Sequence, residues 1–253
     1  MKGLIVALCA LLLWPSIVLA KKDVLVLGVT LEPPHLDPTA GAAAAIDEVV
    51  YANVFEGLTR IVETGAVAPQ LATSWDISTD GLVYTFKLRP SVKFHDGTNL
   101  TAEDVVYSFD RARGKNSTNA QKRLFTAIDK VEAVDPGTVR LTLSRPEGAL
   151  LFNLGWGDAV IVGAESASNN KTTPIGTGPF KFARWVKGDR IELIRHDDRA
   201  HLAAVTFKFI PDPAAQVAAL LAGDVDALPN TAAPESLIQF QTDKRFEVVV
   251  GST

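Results

Sequence analysis

The densest group of side chains able to bind a metal or move a proton is Arg195 to His201, where His196 and His201 flank Asp197 and Asp198. Imidazoles and carboxylates together suit a divalent metal, but a spacing of five does not put the two histidines on one helical face. No cysteine or third histidine lies near them in sequence, so a solvated loop accounts for the segment and no metal or cofactor is expected. Gly176-Thr177-Gly178 lacks the long glycine spacing and Lys-Ser/Thr ending of a phosphate loop. It precedes a strand pattern and reads as a turn. Neither a Gly-x-Ser-x-Gly elbow nor a His-Glu-x-x-His pair occurs, and the remaining histidines, His35 and His95, are far apart. Nothing sets a nucleophile beside a base. No catalytic residue is assigned, and a hydrolase is kept only as a rival class.

Composition narrows the partners. The 253 residues carry a formal charge of -4, and lysines and arginines are scattered among acids without a basic stripe, which argues against nucleic acid. At the N-terminus Lys2 precedes an apolar run from Gly3 to Leu13, Trp14-Pro15 interrupts it, and Val18-Leu19-Ala20 supplies small residues suited to a signal peptidase. Residues 1-20 are therefore expected to be a cleavable signal peptide, cut after Ala20, directing the chain to the periplasm. The one cysteine, Cys9, falls inside that run, so the mature chain is expected to form no disulfide. Leu8 is too bulky for Cys9 to serve as a lipid-attachment site.

The elements that would position a binding site read as mixed α+β. Asp23 to Thr30 is a β-branched, buried-strand run, and Glu32-Pro33-Pro34 and Asp37-Pro38 force the chain into a loop after it. Ile46, Val49, Val50, Val54 and Leu58 recur at threes and fours and predict one helix over 42–58. Leu82, Tyr84, Phe86 and Leu88 alternate with more polar residues as in a half-buried strand, between the turn dipeptides Asp80-Gly81 and Asp96-Gly97. Trp75, Tyr84 and Phe86 are expected to fill a core. Thr101 with Asp104 is a capping-box variant opening a helix, and Asp135-Pro136-Gly137 turns into a strand carrying Val139, Leu141 and Leu143. A hairpin is expected over 180–194 around Lys187-Gly188-Asp189, then a strand carrying Val205, Phe207 and Phe209. A helix follows from the Asp212 cap and Pro213 to a stop at Gly223.

These residues closely resemble the signature of the peptide/nickel (family 5) extracellular solute-binding proteins of ABC importers. The resemblance rests on Ala68 to Arg89 (APQLATSWDISTDGLVYTFKLR), Val92 to Gly97 (VKFHDG) and Thr101 to Phe109 (TAEDVVYSF). Further matches follow in order: Leu36-Asp37-Pro38, Phe55 to Leu58 (FEGL), Pro174 to Phe180 (PIGTGPF), Ile210-Pro211-Asp212 and Ala218 to Asp226 (AALLAGDVD). The resemblance implies a two-lobed clamp of the class II, peptide-binding type, with a mixed sheet and flanking helices in each lobe. It implies a peptide-like ligand and a docking partner in the membrane permease of an ABC transporter, with the protein acting as a monomer. Members of the family run to about twice this length, so the second lobe is expected to be missing and the chain to be a first half. On that basis residues 21-45 open lobe I, 46-170 form a β-rich subdomain, and 171-253 return to the lobe core and end at the hinge. A fragment that keeps only a structural or interaction role is the alternative.

Ligand contacts are expected where the first strand ends, because loops at strand ends line inter-lobe clefts. Leu31, Glu32, Pro33 and His35 occupy that position, with Glu32 able to pair with a peptide amino terminus. Ser252, with Thr253, is expected at the hinge crossing.

Overall fold

In chain order the strands and helices are β1 (Val24–Val29), α1 (Ala44–Val50), β2 (Thr59–Ile61), β3 (Val67–Pro69), β4 (Ala72–Ile77), β5 (Val83–Leu88) and α2 (Ala102–Arg113). They continue as β6 (Ile128–Asp135), β7 (Thr138–Leu143), α3 (Leu150–Asn153), β8 (Phe180–Val186), β9 (Arg190–Arg195), β10 (Ala204–Phe209), α4 (Pro213–Ala222) and α5 (Leu237–Thr242). The structure is a computed structural model and describes residues 23–231 and 233–250. The expected leader, Cys9, Ser252 and Thr253 lie outside the described residues.

β1 pairs in parallel with β10, bringing Leu25 level with Val205 and Leu27 with Phe207. β10, β9 and β8 follow antiparallel, completing the sheet order β1-β10-β9-β8. On the other edge of β1, Gly28 N–H donates to the Ala227 carbonyl at 2.9 Å and Val26 N–H to Asp226 Oδ2 at 2.8 Å. β1 is thereby partnered along both edges, and it becomes buried towards its end at Gly28 and Val29. A second, antiparallel sheet has the order β4-β5-β7-β6, and β2 and β3 form a separate ribbon. Tyr84 and Phe86 of β5 and Val139, Leu141 and Leu143 of β7 are buried on one face, where Val105 and Phe109 of α2 pack. Trp75 differs from expectation, lying half-buried and tilted on Phe86 with ring centroids 6.2 Å apart.

The caps form as their residue types require. The Asp104 carboxylate accepts from Thr101 N–H at 2.9 Å, and Asp212 Oδ1 accepts from Ala215 N–H at 2.7 Å. Gly223 ends α4 at φ 80°, in the left-handed region that glycine enters without steric cost.

The helix expected over 42–58 is corrected by the structure: α1 stops at Val50, and Ala52 sits at φ 58°. The cause is long-range. Val54 and Asn53 give their carbonyls to Gly178 N–H at 2.9 Å and Phe180 N–H at 3.0 Å, which a helix would keep for itself. Gly176 and Gly178 approach so closely that a Cβ on either would overlap the carbonyls of Val54 and Asn53. Apolar spacing persists to Leu58 because the irregular segment is itself buried.

That segment joins two cores. Phe55 belongs with Val29, Ile46, Val50, Leu193 and Phe207, whereas Leu58 belongs with Phe86, Val105, Phe109 and Leu141. Between them Glu56 is 3% exposed, with Oε1 bonded to Arg199 Nη1 at 2.7 Å and Oε2 to Arg89 Nη2 at 3.2 Å. Removing one member of a buried ion pair leaves charge without compensation. Glu56→Ala is expected to lower stability by about 3 kcal/mol, the low end for buried pairs, because both arginines keep part of their surface in water. Urea unfolding checks this, and a loss below about 0.5 kcal/mol would contradict a structural role for the pair.

Candidate functional site

Beyond β1 the chain turns through the expected contact segment, and the structure gives each of its residues a different task. Leu31 is 62% exposed. Glu32 faces the β8–β9 turn, where Trp185 Nε1–H donates to Oε1 at 2.8 Å and Gly188 N–H reaches both carboxylate oxygens at 3.1 Å. The Lys187 ammonium lies 2.9 Å from the centroid of the Trp185 ring, so charge and aromatic face close the same turn. Pro33 is buried. His35 is half-buried, its Nδ1 accepts from Asp37 N–H at 3.3 Å, and its ring fills the space a Cβ on Gly41 would need. Burial, with Lys171 nearby, holds its pKa below the usual histidine value against the opposing pull of Asp37.

Asp37 caps the short turn Pro38–Ala40, its Oδ1 accepting from Thr39 N–H at 2.9 Å, while Arg111 Nη2 donates to its Oδ2 at 3.0 Å. Arg111 also bonds the Thr39 hydroxyl. The turn after β1 is thereby locked to the C-terminal end of α2. There a cavity of about 360 Å³ opens, lined by Thr39, Arg111, Lys115, Asn116, Ser117 and Thr118 among others. Hydroxyls, an amide and a lysine around an open hollow suit the polar ends of a small solute. A larger hollow of about 540 Å³ lies between 89–93 and 196–199. Its arginines are already committed, Arg89 and Arg199 to Glu56 and Arg199 also to Asp197, so it belongs to the structural seam.

Two further acids lie on elements that pack on the turn Pro38–Ala40. Asp47 on α1 and Asp158 in the turn Gly157–Ala159 are both raised to a pKa of about 6. For Asp47 the causes are burial and then the charge of Asp158; for Asp158 burial dominates and backbone N–H groups of Asp158 and Gln121 oppose it.

Residues 66–253 match the family described as bacterial extracellular solute-binding proteins, family 5, middle. The chain belongs to this family. It is 36% identical over 178 residues to the glutathione-binding protein GsiB of Pectobacterium atrosepticum, covering 69% of this chain and 34% of that one. It is 31% identical over 226 residues to the dipeptide-binding protein of Escherichia coli, covering 75% and 42%. Among solved structures it superposes on AgaA of A. tumefaciens in complex with agropinic acid with a TM-score of 0.81, 33% identity, and coverage of 87% and 46%. For DppA of Helicobacter pylori in complex with the peptide STSA the TM-score is 0.79 at 30% identity, with coverage of 87% and 49%. The chain thus spans about half the length of the solved relatives, or less than half of the curated ones. The fold is a mixed α+β lobe of the peptide-type periplasmic binding proteins, and the family members it matches are solute-binding proteins rather than enzymes.

Of the family-5 chain's expected contacts, Leu31, Glu32, Pro33 and His35 share one segment, but only Leu31 is free of local duties. Ser252 lies outside the described residues. The histidines of the 196–201 segment do not converge: His196 lies edge-on to His95 at 4.7 Å, and His201 is exposed. Asp47 and Asp158 carried no local signal, since their meeting depends on α1 packing against a turn 111 positions away.

The raised carboxylates have a defined effect on stability. Between about pH 4 and 6 the folded chain binds protons at Asp47 and Asp158 that the unfolded chain has released, so the stability they confer is present at low pH and lost as pH rises through about 6. His95, lowered to about 4 chiefly by burial, acts in the opposite direction over the same interval. Comparing Asp158→Asn with the parent isolates the carboxylate. The variant is expected to gain stability relative to the parent between about pH 4 and 7.5 in urea unfolding, and a difference constant over that range would refute the raised pKa.

Proposed function

We propose that this chain captures a peptide or peptide-like solute in the periplasm and presents it to the membrane permease of an ABC importer, leaving the solute chemically unchanged. The observation that carries the reading is the hollow at the C-terminal end of α2, tied by the Arg111–Asp37 pair to the loop after β1. Hydroxyls and an amide of its lining match the hydrogen-bonding groups of a peptide backbone, and Leu31 offers an exposed apolar contact nearby in the same segment. Relatives named for glutathione and dipeptides, and solved neighbours holding agropinic acid or a peptide, support this class of ligand. A signal peptide ending at Ala20 would bring the chain to that compartment, where it works as a monomer. His35 and Pro33 act in this reading as supports of the loop, and Glu32 acts through the hairpin it holds.

A solute held by one lobe keeps much of its surface in water, whereas ligand pockets usually bury about 70–90% of it. Titrating the purified chain with trialanine, followed by calorimetry and tryptophan fluorescence, is therefore expected to show binding weaker than about 1 μM. Absence of heat and of any spectral change at millimolar trialanine would overturn the capture reading. Sub-micromolar affinity would overturn the one-lobe account of how the solute is held.

A further inference from the structure

Phe152 and Trp156 face water together. Leu150 and Leu154 are buried and seat the segment that begins with α3 in the core of Phe86 and Phe125. Side chains two positions on point to the other side of a helical turn, so Phe152 and Trp156 emerge at 38% and 43% exposure. Their rings meet edge to face, with centroids 6.4 Å apart. Single exposed apolar side chains are ordinary, but a paired aromatic surface beside a hollow is a feature of contact sites. The hollow measures about 340 Å³, and Arg123, Thr126, Arg145 and Glu147 supply the charged and hydroxyl part of its lining. It is held from beneath. Phe125 packs on Phe109 with centroids 5.7 Å apart, and Ser144 N–H donates to the Ala127 carbonyl at 2.9 Å, which brings Arg123 and Arg145 to one rim.

Neither guanidinium is closely paired there. Arg123 Nε donates to Gln121 Oε1 at 3.2 Å and joins no ion pair among the described residues. Arg145 Nη2 stands 3.4 Å from the Thr126 hydroxyl and 3.9 Å from Glu147 Oε2, the latter beyond hydrogen-bond reach. Glu147 Oε1 instead accepts from Ala149 N–H at 3.4 Å. Two arginines against one glutamate leave the lining with an excess of positive charge, on a chain whose formal charge is -4.

We propose that this hollow is a second binding site, taking a small aromatic carboxylate whose ring packs against Phe152 and Trp156 and whose anionic group meets Arg123 and Arg145. It shares no lining residue with the 360 Å³ hollow, so it stands apart from the capture reading. An edge-to-face pair leaves ring surface open to a third ring, and contact of that kind adds to the gain from apolar area alone. The planar fork of a guanidinium fits a carboxylate through two parallel hydrogen bonds, which a neutral amide cannot match. The modest surplus of positive charge suits a monoanion, and Glu147 stands against a second negative charge such as phosphate carries. Ligand pockets run from about 300 to 1,000 Å³, so a hollow at the low end fits one ring with its acid better than an extended chain.

Calorimetry of the purified chain with N-acetylphenylalanine, N-acetylphenylalaninamide and inorganic phosphate tests the proposal, with tryptophan fluorescence recorded alongside. The acid is expected to bind the parent with a Kd below about 1 mM, and at least about tenfold more tightly than the amide or phosphate. Arg123→Gln combined with Arg145→Gln is expected to erase the preference for acid over amide. Trp156→Ala is expected to weaken binding of the acid at least about tenfold and to remove the fluorescence change. Each substituted side chain is exposed, so urea midpoints are expected to match the parent's. The parent's choice between acid and amide decides the matter even where a variant unfolds. Equal affinity of the parent for acid and amide, phosphate binding as tight as the acid, or no heat at about 10 mM acid would overturn the site. Affinity for the acid that survives every substitution would overturn it too. Trialanine binding is expected to stay unchanged in every variant, which keeps a failure of this site distinct from a failure of the capture reading.

Discussion

Glu56 places a negative charge at 3% exposure on the seam between two hydrophobic cores, and the lobe has to be assembled correctly for that charge to be tolerated. Its two partners arrive from different directions: Arg89 from the end of β5, Arg199 from the loop between β9 and β10. Burying the carboxylate costs several kcal/mol, on the order of what its ion pairs return, so the cluster adds little net stability compared with an apolar filling. What it adds is geometry. The guanidinium fork of Arg199 reaches Glu56 with one arm and the Thr177 carbonyl at 2.7 Å with the other. A sheet slipped by one residue would strand the charge, so the correct packing is separated from its near alternatives.

The same residues fix the glycine loop that presses on the irregular segment after α1. His95 accepts from Gly176 N–H at Nδ1 and donates to the Gly178 carbonyl from Nε2 at 3.0 Å, which fits a neutral imidazole with its proton on Nε2. Its depressed pKa has burial as the leading cause. From this clamp the order runs outward to the site. Leu36 N–H bonds the Lys171 carbonyl at 2.9 Å, and the Arg111–Asp37 pair then ties the loop after β1 to α2. Loops that line the hollow are thus pinned to a rigid body by side chains, and preorganisation of this kind lowers the entropy a ligand must overcome.

How far the sequence alone could be read follows from the range of each interaction. The Asp212 cap, the Gly223 stop, the Thr101–Asp104 box and the hairpin around Gly188 all formed where residue types placed them, because each is settled within a few positions. The end of α1 departs from its sequence pattern for the converse reason. Val54 and Leu58 keep a helical spacing, yet the Val54 carbonyl is claimed by Gly178, more than a hundred positions later, and the Leu58 carbonyl by Gln70 and Ala72. Within the site, the proline-rich turn of 33–38 was legible as a loop at a strand end. The clasp of Glu32 by Trp185 and Gly188 joins residues over 150 positions apart, and no local pattern announces it.

A comparison among the lobe's own acids shows how each buried carboxylate is tolerated. Asp37 at 1% exposure has Arg111 and the Thr39 backbone, and Glu56 at 3% has two arginines. Glu32, less buried, is still met by an indole and a backbone N–H. Wherever an acid supports the fold, the fold supplies its donor. Asp158, at 7% exposure, is met by backbone N–H groups of Asp158 and Gln121 and by no cation among the described residues, and burial raises its pKa to about 6. Desolvation opposes the ionised form of such an acid, so its burial costs stability once pH rises through about 6. A buried acid in this lobe is therefore met by a cation, as at Asp37 and Glu56, or holds its proton to higher pH where only backbone N–H groups meet it, as at Asp158.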